Sequence, residues 1–336
     1  MKEGMIMLPD NYYYKTKYHF NIFEEITEED VLNYDNVKKL EDLICEITGA
    51  KYCLTTCNGQ TALYVIMQVL GLNSNHNIII PDWSYPAFYR NAKFMNLGIR
   101  YADIKKDTLS MDPDEVESLI DENTKAIGFI NHLGYLGKDI ERIREMCDKY
   151  NLYFIEDSAH GLGAVYKGKY AGTFGDMSIF SFSGSKLIRS GEGGCLCTNN
   201  KEYYEKAKHL VREVMNFTMS PILAKIIYLQ LANFDWYLER NKFIRDCYKK
   251  YGLKIYENET DNKFSLHVVY MAKNPVKLTN KLKSMNIPFR YKYYKSLTHL
   301  PVATEVEDKY IELPCTLTLT EKEISKIVTA VKLFDR

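Results

Sequence analysis

The sequence predicts an α/β protein, with a mostly parallel central sheet carrying helices on both faces and a smaller C-terminal α+β unit. Three observations carry this. Short apolar runs suited to buried strands alternate with helix-length segments through the first two thirds of the 336 residues. The connections between them are short, as βα units require. From about Asp235 the texture changes to longer helices and fewer strands, which divides the chain into a large unit, 1–235, and a small one, 236–336.

In chain order, Asn36 to Thr48 reads as a helix ended by Gly49, and Thr61 to Leu70 as another stopped by Gly71. Asn77 to Pro81 is a buried strand, Pro86 to Met95 a helix and Ile99 to Ile104 a strand. An Asp-Pro start opens a helix over Asp112 to Ile120. Lys125 to Ile130 is a strand, Lys138 to Tyr150 a helix and Leu152 to Glu156 a strand. Short strands follow at Ala164 to Tyr166, Met177 to Phe182 and Gly194 to Thr198. The small unit reads as a long helix (Trp236 to Tyr251), a strand (Ser265 to Met271), a helix (Val276 to Met285), a strand (Pro288 to Tyr293) and a last helix from Glu321.

Composition excludes several function classes. Lys+Arg 44 balance Asp+Glu 44, so no basic surplus exists to neutralise nucleic-acid phosphates. The longest apolar stretch, Thr61 to Leu72, is far shorter than the ~20 residues of a spanning helix, and Lys225 interrupts the apolar segment Pro221 to Phe234. The first ten residues lack a secretion-signal core. The eight cysteines are scattered without a CxxC pair, and no two histidines stand at helical ligand spacing. Reduced cysteines, no metal site and a cytoplasmic location are the expectations.

Four segments at strand ends carry candidate chemistry, where open α/β sheets bind ligands. In Cys57-Asn-Gly-Gln-Thr-Ala-Leu63 a turn opens into an apolar helix, so the N–H groups of Gly59, Gln60 and Thr61 form an anion site or a plain capped turn. Glu156 and Asp157 end a buried strand, a costly place for unpaired carboxylates. Asp157 there either meets a protonated ring nitrogen or caps the next turn. Gly161-Leu-Gly163 lacks the third glycine of a dinucleotide fingerprint, since Tyr166 stands there. Phe180-Ser-Phe-Ser-Gly-Ser-Lys186 delivers Ser181, Ser183 and one lysine beside Gly191-Glu-Gly-Gly194. Tyr85, in Asp82-Trp-Ser-Tyr85, is either an aromatic slab for a flat ring or a core residue. Together these make a pyridoxal 5′-phosphate (PLP) site, with Lys186 as Schiff-base former and Asp157 keeping the pyridine nitrogen protonated.

The same motifs in order resemble the DegT–StrS family of PLP-dependent nucleotide-sugar aminotransferases, which have the type I aminotransferase fold. Pro81 to Ala87, Glu156 to His160, Gly172-Thr-Phe-Gly-Asp176 and Leu319 to Glu323 join the segments above in this likeness, which spans nearly the whole chain. The resemblance implies that Lys186 carries the cofactor, Asp157 pairs with its ring nitrogen, and Tyr85 stacks on the ring. It assigns the phosphate to Gly59, Gln60 and Ser181, and places His160 near the cofactor hydroxyl, where the family often has Gln. Asn216, in Asn216-Phe-Thr-Met-Ser220, would reach the cofactor of a neighbouring subunit, implying a homodimer with shared sites. Arg290 and Lys292, in an aromatic-basic stretch, would meet the pyrophosphate of a sugar nucleotide, or belong to a solvated strand face.

Three departures bear on substrate contacts. Gln60 replaces the usual Thr, Thr218 the usual Arg, and the stretch from Arg212 to Asn216 is short. Lys186 speaks against the dehydratase branch, which has His there. The reaction implied is a ping-pong transfer from L-glutamate, through pyridoxamine phosphate, to a keto sugar. The likeness is greatest to enzymes acting at C4 that yield 4-amino-4,6-dideoxyglucose (viosamine) on UDP or dTDP. An AT-rich composition resembles giant-virus members, for which the nucleotide would be UDP. A C3 keto sugar, a cyclitol ketone or a small keto-phosphate is the alternative within the family, and a non-catalytic PLP-fold sensor the alternative outside it.

Overall fold

The computed structural model describes residues 22–257 and 259–335; the amino-terminal segment read as lacking a secretion signal lies outside them. A seven-stranded sheet forms the centre, in the order β1 (Tyr52–Thr56), β10 (Gly194–Thr198), β9 (Met177–Ser181), β6 (Tyr153–Asp157), β5 (Thr124–Ile130), β2 (Asn77–Pro81) and β4 (Gly98–Ala102). All pairings from β9 to β4 are parallel, and β10 alone runs the other way, antiparallel to β1 and β9.

Alternation along each strand feeds two cores, because successive side chains leave on opposite faces. Ile79, Phe154, Phe180 and Cys195 pack on one side with Leu40 and Ile44 of α1 (Asp35–Thr48) and Ile140 and Ile143 of α5 (Lys138–Tyr150). Ile78, Ile80, Ile155, Ile179 and Leu196 pack on the other with Leu63 and Ile66 of α2 (Gly59–Val69) and Phe88 of α3 (Ala87–Phe94). Helices α4 (Pro113–Ser118), α6 (Lys201–His209) and α7 (Pro221–Leu231) complete the layers. The apolar segment around Lys225 is thus a helix packed on α1, and among the described residues no helix is long and apolar enough to cross a membrane.

A third core belongs to the carboxy-terminal part. It joins α8 (Phe234–Lys250), the sheet β11–β14–β12 (Val268–Met271, Tyr310–Leu313, Arg290–Tyr291), α9 (Pro275–Ser284) and α11 (Glu321–Phe334). Helix α8 is shared: Phe234 and Tyr237 enter the main core, and Ile244, Cys247 and Tyr248 the third. Two carboxylates of the large sheet tie in the segment before and within α10 (Pro301–Lys309). Buried Asp82 accepts hydrogen bonds from Thr298 N (2.7 Å), Thr298 Oγ1 (2.6 Å) and the Ser296 hydroxyl, beside the pairing of β3 (Trp83–Ser84) with β13 (Lys295–Ser296). Asp103 accepts from Val302 N and Ala303 N at the first turn of α10.

Three of the differences from the sequence expectations concern segments singled out there. The strand expected at Ala164 to Tyr166 is half of a two-residue hairpin, β7 (Val165–Tyr166) with β8 (Lys169–Tyr170), outside the main sheet. The strand expected at Pro288 to Tyr293 shrinks to Arg290–Tyr291, with Lys292 at a φ of 54° that ends the extended run. The cysteines are not all scattered: Cys53, Cys195 and Cys197 converge.

Candidate active site

Glu156 and Asp157 show why one strand end holds two buried carboxylates. Glu156 is consumed by the protein: it accepts from the N–H groups of Gly172, Phe174 and Gly175, from Asn131 Nδ2 (2.7 Å) and from Ser158 Oγ (3.0 Å). Gly172 sits at a φ of +83° with no room for a Cβ against Phe180, so this turn requires glycine. Asp157 points to the opposite face, where it lines a cavity of about 600 Å³. Its Oδ1 accepts from Ala159 N at 2.9 Å. Burial pushes its carboxyl above the usual range, while the Ala159 N–H and the charge of Lys186 pull it down. A cation delivered to the cavity would relieve that burial cost.

Lys186 lines the same cavity from the loop after β9. That loop is folded by Lys186 N donating to Ser183 O (3.0 Å), and by Phe182 N and Ser190 N closing onto Gly193 O and Phe182 O. Burial draws the amine down to about 8, with Asp157 opposing and Arg290 assisting. A substantial neutral fraction therefore exists near pH 8, as a nucleophilic amine needs.

The amino terminus of α2 forms the next wall. Asn58 caps it, its side chain accepting from Thr61 N at 2.8 Å. This corrects one expectation: the Thr61 N–H is committed to the cap, leaving those of Gly59 and Gln60 without a helix partner. A Cβ on Gly59 would lie 3.1 Å from Ser181 Cβ, and one on Gly194 only 2.4 Å from Gly59 N. Helix end, Ser181 and the glycine loop thus meet as a cradle that any added carbon would fill. Ser181 lines the cavity and Gln60 stands exposed at its edge.

Tyr85 is 42% exposed on the cavity wall, stacked on Tyr293 (centroids 6.2 Å apart, planes at 22°) with Arg90 over its ring at 5.3 Å. It is a wall residue and not part of the packed core. His160 also lines the cavity, but both its nitrogens are engaged. Leu133 N–H donates to Nδ1 (3.3 Å), so the proton sits on Nε2 and donates to the Tyr294 hydroxyl (3.2 Å). Burial, with Lys186 and neighbouring His267, holds His160 well below the ordinary histidine range, so it is neutral.

Two residues expected at the substrate, Arg290 and Lys292, do not line this cavity, and Asn216, expected at a neighbouring subunit's site, lies beside it. Arg290 is buried behind it, donating to Glu312 (3.2 Å) and lying over Tyr293 at 4.5 Å. Lys292 pairs with Asp308 at 2.6 Å on the outer side. The aromatic members of that stretch, Tyr293 and Tyr294, are the ones that line the wall. Asn216 is exposed at a φ of 52°, its carbonyl accepting from Thr218 Oγ1 (3.3 Å), while flanking Met215 and Phe217 line the cavity. Residues missed in the sequence include His132, at the end of β5, and Tyr64. Neither carries a local signal, since the sequence places His132 outside any motif and Tyr64 inside an ordinary apolar helix.

A mostly parallel α/β sheet presenting a depressed lysine, a strand-end aspartate, an aromatic wall and a helix-end anion cradle to one cavity fits PLP, and defines a PLP-dependent enzyme of the type I aminotransferase fold. The chain belongs to the DegT/DnrJ/EryC1/StrS aminotransferase family, whose model matches residues 15–332; it is a PLP-dependent aminotransferase. It is 30% identical to the GDP-perosamine synthase of Escherichia coli O157:H7 over 89% of this chain and 90% of that one. It is 27% identical to the UDP-2-acetamido-2-deoxy-3-oxo-D-glucuronate aminotransferase of Pseudomonas aeruginosa, over 83% and 81%. A solved aminotransferase of the same family from Brucella abortus shares the fold, with a TM-score of 0.85 at 20% identity over 94% of each chain.

Proposed function

We propose that the enzyme moves the amino group of L-glutamate to the C4 ketone of a nucleotide-linked 4-keto-6-deoxy sugar, giving a 4-amino-4,6-dideoxy sugar of the viosamine type. The observation that carries this is the meeting of Lys186, Asp157 and the α2 amino terminus on one cavity, in a chain whose relatives bear sugar aminotransferase names. Bound there, PLP supplies an aldehyde that joins an amine and a ring that accepts electrons from a carbon losing its proton. Lys186 Nζ would hold the cofactor and, as a neutral amine, would accept and return a proton at the substrate carbon. Asp157 Oδ would keep the ring nitrogen protonated. The Gly59 and Gln60 N–H groups and the Ser181 hydroxyl would bind its phosphate, and Tyr85 and His160 would offer side chains to its ring.

Asn216, exposed beside the cavity mouth, is proposed to reach the site of a second copy in a homodimer. The division of the chain at 235/236 and work in the cytoplasm are parts of the same proposal. The family resemblance implies UDP or dTDP as the nucleotide, and the GDP in the name of the Escherichia coli relative adds a third candidate. A C3 ketone is the second reading, favoured by the 3-oxo name of the Pseudomonas aeruginosa relative.

The test follows the visible absorbance of PLP-loaded protein. Glutamate should bleach it, and the matching keto sugar should restore it, with UDP, dTDP and GDP forms compared. Bleaching without recovery by any 4-keto sugar, but with recovery by a 3-keto sugar, selects the second reading. No bleaching by glutamate defeats the proposed donor.

A further inference from the structure

Cys53 on β1 stands directly opposite Cys197 on β10, and Cys195 follows two residues away on the same face. Their Sγ atoms all lie within 4.8 Å of one another, beneath α1, and none is in a disulfide. The side chains are buried, none more than 3% exposed. We propose that Cys53, Cys195 and Cys197 form a three-sulfur site for a soft, thiophilic cation, with monovalent copper the ion whose coordination it fits.

Metal–sulfur bonds of about 2.3 Å place three trigonal sulfurs about 4 Å apart. The spacing here reaches that by sub-ångström shifts of side chains on adjacent strands. Thiolates select Cu(I) and zinc among common ions, but closed zinc sites take four ligands. No fourth histidine, cysteine or carboxylate ligand atom joins the three within 4.8 Å among the described residues, although the Cys45 thiol of α1 lies farther out near Cys197. Glu41, the carboxylate whose charge reaches Cys195, already accepts from Thr55 N (2.9 Å) and Thr55 Oγ1 (3.0 Å) and faces Arg212 at 3.4 Å.

Each thiol that binds releases its proton to solvent, so binding strengthens with pH. β1 is the edge strand of the sheet, and partly exposed Cys45 lies on α1, the helix packed over the cluster. Strand β10 runs from this cluster to Gly194, which packs on Gly59 at the phosphate cradle. An ion there would pin β1 to β10 behind that cradle.

The test uses the full chain, reduced and freed of metal, titrated without oxygen with Cu(I) as its bicinchoninate complex. Colour loss should show one ion taken per chain, and X-ray absorption should show three sulfur neighbours. Cys195→Ser should weaken uptake by more than the about 10–100-fold that loss of an outer-shell partner costs. Cys315→Ser, outside the cluster, should leave it unchanged. No uptake by the unaltered protein, or equal uptake by both variants, overturns the proposal. If Cys195→Ser does not fold, the unaltered protein decides: a melting temperature raised by Cu(I) with three sulfur neighbours supports the site, and fewer sulfurs or no shift defeats it.

Discussion

At the scale of single residues, the site separates groups that build from groups that react. Glu156 and Asp157 are neighbours in sequence, yet five donors consume the first and the second is left facing the cavity. The sequence showed two carboxylates at a buried strand end, and alternation decides which one is free. Lys186 stands out in the sequence only in combination with Asp157, the turn before α2 and the glycine loop, because a lone loop lysine usually does no more than meet solvent. Its amine titrates near 8, so PLP incorporation should accelerate from pH 7 to 9, as the neutral amine replaces the ammonium, and then level off. Stopped-flow absorbance reads this rate, and a pH-independent rate would contradict the assignment. Lys186→Ala should abolish both the absorbance and transamination. His160 should remain neutral, protonated at Nε2, below pH 6.5, as nitrogen NMR of labelled histidine can show; an Nδ1-protonated ring would lose the hydrogen bond from the Leu133 N–H. Arg290 misled because a basic residue in an aromatic stretch looks like a phosphate ligand. Only the fold reveals that Glu312 already neutralises it.

At the scale of elements, segments with a strong periodic signal and a stop residue were readable almost to the residue. The helix Lys138–Tyr150 and the strands Asn77–Pro81 and Gly194–Thr198 have the expected bounds. β1, α6, α10 and β14 escaped because each spans only four to nine residues, giving too few repeats to count. The pairing of β3 with β13 could not be read at all, since two residues on each side carry no pattern. Asp82 makes that pairing hold. Asp82→Ala would leave the buried Ser296 hydroxyl without its acceptor and free the exposed Thr298 donors to water, and should lower stability by about 2 kcal/mol in urea unfolding. The α2 cradle offers a gentler test. Gly59→Ala places a carbon 3.1 Å from Ser181 Cβ, and should weaken PLP binding about tenfold by equilibrium dialysis, with little change in melting of the cofactor-free protein.

For the whole molecule, buried neutral histidines set the acid limit. His132 and His267 are drawn down to about 4 by burial, and Glu312 opposes this only in part for His267. The unfolded chain binds their protons below about pH 6.5 and the folded chain only near 4, so stability is lost as pH falls between these values. The loss should be on the order of 3 kcal/mol per histidine, read as a falling urea midpoint from pH 6.5 to 4. His132→Phe should flatten that slope, whatever it does to stability at pH 7. The overall α/β class was legible, because sheet burial leaves marks in composition, whereas the border placed at 235 falls inside α8, whose first turns belong to the main core.

Helix α8 has a consequence for how such a protein can be taken apart or recombined. Its first turns complete one core and its later turns another, so neither part keeps its walls when the chain is cut within it. Exchange of carboxy-terminal segments between relatives would therefore succeed only when the crossover precedes Phe234 and the whole helix travels with its new neighbours. Even then the incoming piece must bring the Ser296 and Thr298 donors that grip Asp82. The seam that shuffling can use is narrower than the apparent border between the parts, and it lies in the short turn at Ala232 and Asn233.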